Sequence, residues 1–76
     1  MPRYFEIHVP GRDGYSLYVS TSFPLSNSLL WDQVLELALR ASVINRGDAK
    51  DVQYIEERTL KELTDAGIQP IQLASI

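Results

Sequence analysis

Ser28-Leu-Leu-Trp-Asp-Gln-Val-Leu-Glu-Leu-Ala-Leu-Arg-Ala-Ser-Val-Ile44 decides how the rest of the chain is read. At the helical step, Leu30, Val34, Leu37, Ala38, Ala41 and Ile44 fall on one face, while Asp32, Gln33, Glu36 and Arg40 fall on the other. Ser26, Asn27 and Ser28 offer side-chain oxygens to the unpaired N–H groups of a first turn, and Asp32 suits the positive end of the helix dipole. Glu36 and Arg40 have the i,i+4 spacing of a favourable pair. Asn45-Arg46-Gly47 reads as the stop, because Asn and Gly accept the left-handed backbone that ends helices. The pattern therefore predicts one main helix over 28–44.

That helix carries a second apolar stripe. Trp31, Leu35, Leu39 and Val43 recur every fourth residue beside the first face. In one reading, Trp31 and Leu35 wrap the core edge while Leu39 and Val43 are ordinary exposed apolar residues. In the other, all four form a contact surface for a second copy or another protein.

Upstream, Arg3-Tyr-Phe-Glu-Ile-His-Val9 alternates, with Phe5, Ile7 and Val9 on one face and Tyr4, Glu6 and His8 on the other. Pro10-Gly-Arg-Asp-Gly14 is rich in turn residues, and Tyr15-Ser-Leu-Tyr-Val-Ser-Thr21 alternates again. Pairing 9 with 15, 7 with 17 and 5 with 19 gathers six apolar side chains on one side, so residues 1–21 read as a hairpin that the helix covers. Phe23 or Leu25 is placed to act as a hydrophobic staple beneath the helix start. Downstream, 52–57 reads as a strand on its β-branched and aromatic residues, with a helix opened by Asp48 as the alternative. Thr59-Leu-Lys-Glu62 is a capping box, which favours the strand followed by a short helix over 60–66 with Leu60 and Leu63 inward. Residues 68–76 read as a tail or an edge strand around Pro70. The expected fold is α+β, ordered ββαβα: a small antiparallel sheet with one main helix and a short second helix packed on one face.

The chain of 76 residues is one small domain with an ordinary apolar share of 45% and no cysteine, so neither disulfides nor thiolate metal sites support it. No run is long and apolar enough to span a bilayer, and the first residues lack the apolar core of a signal peptide. A cytoplasmic protein with no membrane association is the expectation. The net charge of −3 is uneven: residues 1–47 balance four acids with four bases, and residues 48–76 carry six acids and three bases. No basic stripe suited to phosphate backbones is visible, so nucleic acid is not the expected partner.

Little chemistry is encoded. A Ser16–His8–Glu6 arrangement fits one sheet face, but it offers neither a pocket nor an evident oxyanion hole. One histidine and scattered carboxylates match no zinc or calcium spacing. Gly11 and Gly14 miss the phosphate-loop pattern, and Arg46-Gly-Asp48 is accounted for by a helix stop and a cap. No catalytic residue, metal or cofactor is expected. Tyr4 and Tyr18, beside His8, form instead an aromatic patch of the kind found at interfaces, which could also stack on single-stranded bases.

The succession of a hairpin, Asp32-Gln-Val-Leu-Glu-Leu-Ala-Leu-Arg-Ala41, Asp51-Val-Gln-Tyr-Ile-Glu-Glu57 and Thr59-Leu-Lys-Glu-Leu63 resembles small accessory proteins encoded in phages and prophages, over residues 4–66. The resemblance implies a stoichiometric inhibitor or regulator of a bacterial host protein, of anti-CRISPR or other anti-defence type, acting in the host cytoplasm. It transfers no site residue. The candidate partner-binding residues are thus Trp31, Leu35, Leu39 and Val43, or Tyr4, Tyr18 and His8. Single-stranded nucleic-acid binding through Tyr4 and Tyr18, and a structural homodimer, are the alternative readings.

Overall fold

A computed structural model describes residues 2–11 and 14–73. The hairpin forms as its alternation requires. Strands β1 (Arg3–Val9) and β2 (Tyr15–Thr21) pair antiparallel with Val9 opposite Tyr15, Ile7 opposite Leu17 and Phe5 opposite Val19. The tip, Arg12 and Asp13, lies outside the described residues. The other flank of β1 takes β3 (Tyr54–Arg58), also antiparallel, with Ile55 opposite Ile7. This is the strand reading of 52–57, begun two residues later and ended one later. Gln53 extends the pairing by donating its N–H to the His8 carbonyl at 2.9 Å.

A fourth strand, β4 (Ile71–Gln72), completes the order β3-β1-β2-β4 and runs parallel to β2. The sheet is therefore mixed, antiparallel over its first three strands and parallel at one edge. Of the tail-or-edge-strand segment 68–76, residues 71–72 form the edge strand and Ala74–Ile76 lie outside the described residues.

The main helix, α1 (Leu30–Arg40), is shorter than its apolar pattern. A 3-10 turn over Asn27–Leu29 precedes it, and no side chain caps either start; instead Gln33 Oε1 reaches back to accept from the Ser26 N–H at 2.8 Å. Its end is a Schellman motif: the Ser42 N–H donates to the Leu39 carbonyl and the Val43 N–H to the Ala38 carbonyl, with Ser42 left-handed at φ 58°. Ala41, assigned to the buried face, is exposed at the cap, whereas Ile44 stays buried beyond the helix. The α3 helix (Leu60–Asp65) ends the same way, with Gly67 at φ 71° in the left-handed position and Ile68 donating to Leu63.

Between α1 and β3 lies a helix absent from the sequence reading, α2 (Arg46–Lys50). Asn45 is not part of a stop; its Oδ1 caps α2 by accepting from the Asp48 N–H at 2.7 Å, and Gly47 lies inside the helix. Asp48 in turn accepts from the Tyr15 hydroxyl, tying α2 to the start of β2.

The core lies between the sheet and α1. Phe5, Ile7, Val9 and Val19 from the sheet meet Val34, Leu37 and Ala38 from α1, closed by Ile44 and Leu73. Both Phe23 and Leu25, the alternatives for the staple, pack against this cluster. Leu63 is buried outside the cluster, and Leu60 is 53% exposed, contrary to the inward placement expected for it.

Candidate functional site

The alternation of β1 sends its side chains to two sides of the sheet. Phe5, Ile7 and Val9 face α1, so Tyr4, Glu6 and His8 face away from it. The structure therefore places the two groups of candidate contact residues on opposite sides and does not bring them together.

On the side away from α1, Glu6 is the organising residue. It is only 7% exposed, because residues from both neighbouring strands close over it. Oε1 accepts from Arg58 Nε at 3.0 Å and Nη2 at 2.8 Å, and Oε2 accepts from the Ser16 hydroxyl at 2.8 Å and the Tyr54 hydroxyl at 3.0 Å. Burial alone pushes this carboxyl up. The bonds from Ser16, Arg58 and Tyr54, with the Arg58 charge, outweigh it and hold the group below the ordinary carboxylate range. Arg58 also meets Glu56 at 2.7 Å, and the His8 ring stacks on Tyr54 at 4.9 Å between centroids. Among the described residues no buried side-chain nitrogen or oxygen lacks a partner.

The direction of these bonds bears on catalysis. An ionised Glu6 accepts only, so the single Ser16 hydrogen points to Glu6. Ser16 must then accept from His8 Nδ1, 3.0 Å away, which places a proton on that nitrogen. Activating a serine requires the reverse, a hydroxyl donating to a histidine nitrogen that can take its proton. Ser16, His8 and Glu6 are in contact, as their shared face implied, but the chain of donors runs the wrong way for a nucleophile. Among the described residues no group of three or more His, Cys, Asp or Glu is placed to hold a metal ion.

The aromatic patch on this side is committed only at His8. Tyr4 and Tyr18 are half-buried, and His8 is engaged by Ser16 and Tyr54. Arg58 is taken by Glu6 and Glu56; Arg3 and Glu57, which pair through two bonds of 2.8 and 2.9 Å, share the Phe5 side of the sheet.

On the other side, α1 turns Val34, Leu37 and Ala38 into the core, and the second stripe lies along its flank. Trp31 is 41% exposed and Leu29, just before the helix, 54%. Leu35, Leu39 and Val43 are half-buried and pack against the core edge. The division differs from either sequence reading: Trp31 is the exposed member, and the leucines below it wrap the core. Ala49 of α2 packs at the same core edge and lines a shared depression with Leu35 and Leu39. Two adjoining depressions of about 650 and 290 Å³ flank this junction and share Leu39 and Arg46. Arg40, Arg46 and Lys50 stand around them.

Sequence reasoning missed Leu29, Arg46 and Lys50 on this side, and Tyr54 and Arg58 on the other. Asn45-x-x-Asp48 was the available signal for α2, a cap with an acid three residues later. Nothing local marks Tyr54 and Arg58, because the pairing of β3 with β1 alone brings them to Glu6.

Comparison with protein-family models, with curated proteins and with solved structures gives no match for this chain. Among the described residues no helix is long and apolar enough to cross a membrane.

Proposed function

We propose that this chain is a non-enzymatic protein-binding module that meets its partner with the Trp31–Leu35–Leu39 side of α1. The observation that carries the reading is Trp31, 41% exposed beside a 54% exposed Leu29. Two large apolar side chains left exposed at the start of α1, one in the 3-10 turn and one on the helix, are the kind of anchor that protein interfaces use. The resemblance to phage and prophage accessory proteins makes a bacterial host protein the partner class, with inhibition or regulation of host machinery, including anti-CRISPR or other anti-defence action, as the role. A cytoplasmic setting goes with that role.

The sheet face gives less support to its own alternative. Single-stranded nucleic acid would need free cations beside Tyr4 and Tyr18, and Arg58 on that face is already paired with Glu6 and Glu56. A homodimer built on the α1 stripe competes for the same surface.

Capture from bacterial lysate with tagged wild-type, Trp31→Ser and Tyr18→Ser chains tests the reading, together with sedimentation of the chain alone. A stoichiometric partner held by wild-type and Tyr18→Ser but lost from Trp31→Ser is the expected result, with a monomer in isolation. Equal capture by wild-type and Trp31→Ser, or a dimer that Trp31→Ser dissociates, would overturn it.

A further inference from the structure

The depressions beside α2 combine an apolar floor with uncommitted positive charge. Leu35, Leu39 and Ala49 line one of them, and Leu39 and Ile44 the other. Of the three cations at the rim, Arg40 is neutralised by Glu36 at 2.7 Å. Arg46 and Lys50 stand one helical turn apart on α2, and among the described residues no carboxylate lies within 4.0 Å of either. Lys50 suits the negative end of α2, but Arg46 sits in its first turn, where the dipole opposes a cation. Helix stability does not account for Arg46. Although Glu36 stands at the rim and Asp48 and Asp51 lie on the same segment, none of these acids pairs with Arg46 or Lys50, so both cations remain open beside the half-buried leucines.

We infer that this groove receives an acidic amphipathic segment of the partner, its apolar side chains seated on Leu35, Leu39 and Ala49 and its carboxylates bound by Arg46 and Lys50. The inference rests on the protein-binding reading and names the chemistry of what that surface takes. Arg46 offers a planar fork to a carboxylate and Lys50 a point charge, so opposite charge steers the segment while the floor holds it. A second copy, which carries exposed carboxylates of its own at Asp32, Asp51 and Asp65, is the competing occupant, and the oligomeric state of the double variant decides for or against it.

The probe is a synthetic helical peptide with leucines on one face and glutamates along its flanks, beside a twin with every glutamate replaced by glutamine. Trp31 is the only tryptophan, so its emission reports docking along the same flank of α1. The glutamate peptide is expected to bind wild-type, more weakly as salt rises, and about tenfold more tightly than its twin. Arg46→Glu/Lys50→Glu should lose about tenfold in affinity for the glutamate peptide while unfolding at the same urea midpoint as wild-type. Equal binding of the two peptides, no binding of either, or undiminished binding to the double variant would overturn the inference. A dimer that the double variant dissociates would overturn it too, by assigning the groove to a second copy. Lysate capture that survives Arg46→Glu/Lys50→Glu but not Trp31→Ser would leave the protein-binding reading standing and remove the acidic segment alone.

Discussion

The polar face of the sheet and the outer flank of α1 both show aromatic and charged side chains, but they differ in what those side chains already hold. On the sheet, Glu6 fills both carboxylate oxygens from Ser16, Tyr54 and Arg58, and His8 is stacked and bonded. On the helix flank, Trp31 and Leu29 stand in water, and Arg46 and Lys50 have no carboxylate partner among the described residues. On the first surface Glu6, Arg58 and His8 are already engaged, which leaves Tyr4 and Tyr18 as its open groups. The second is left with the groups that a partner would complete. Residue type alone does not separate the two; the partners do.

Substitutions can break this contrast from either end. The largest effect belongs to the sheet. Glu6→Ala strands Arg58, Tyr54 and Ser16 without their shared acceptor and should cost about 3 kcal/mol in urea unfolding, with no loss of partner binding. The same network predicts the pH response. Glu6 and Glu57 have lowered pKa values in the fold, so the stability they add is present above the unfolded carboxyl value of about 4.3 and is lost as pH falls through their folded values. Tyr54 and Tyr15 are raised, chiefly by their bonds to Glu6 and Asp48, so their share is present below about pH 10 and fades as pH climbs through the folded values. Urea midpoints measured across acid pH should fall less steeply in Glu6→Gln than in wild-type.

Leu39→Asp comes next. Leu39 packs against the core edge, so a charge there should cost about 2 kcal/mol, and binding lost in that variant would not distinguish unfolding from contact. Trp31→Ser, at the exposed end of the stripe, should move the urea midpoint by less than about 1 kcal/mol while abolishing partner capture. The smallest effect is Ser42→Gly. It relieves a left-handed serine at the rim of the larger depression and should stabilise the chain by about 0.5–1 kcal/mol in thermal unfolding without changing capture.

What the sequence made legible was local. Alternation in β1 and β2 gave the hairpin with its register, and the capping box at Thr59 marked where β3 gives way to α3. The apolar period of α1 located the helix but not its end, because Ile44 keeps the phase while Ser42 breaks the backbone. A short helix holding a glycine reads as a stop, which hid α2 and with it the depression that Ala49 lines beside Leu35 and Leu39. β4 follows Pro70 and is only two residues long, too short for its parallel pairing to be read locally. Glu6 was placed on a wettable face. Its burial depends on partners 48 and 52 residues away, a register that no local pattern carries.

The contrast is tested most directly by mapping amide chemical shifts of the isotopically labelled chain as unlabelled captured partner is added. Changes concentrated at residues 29–50, around Trp31, Leu35, Arg46 and Lys50, are expected, with Tyr4, Glu6, His8, Ser16 and Tyr18 unmoved. Changes centred on Tyr4, His8 and Tyr18, with the flank of α1 silent, would contradict it.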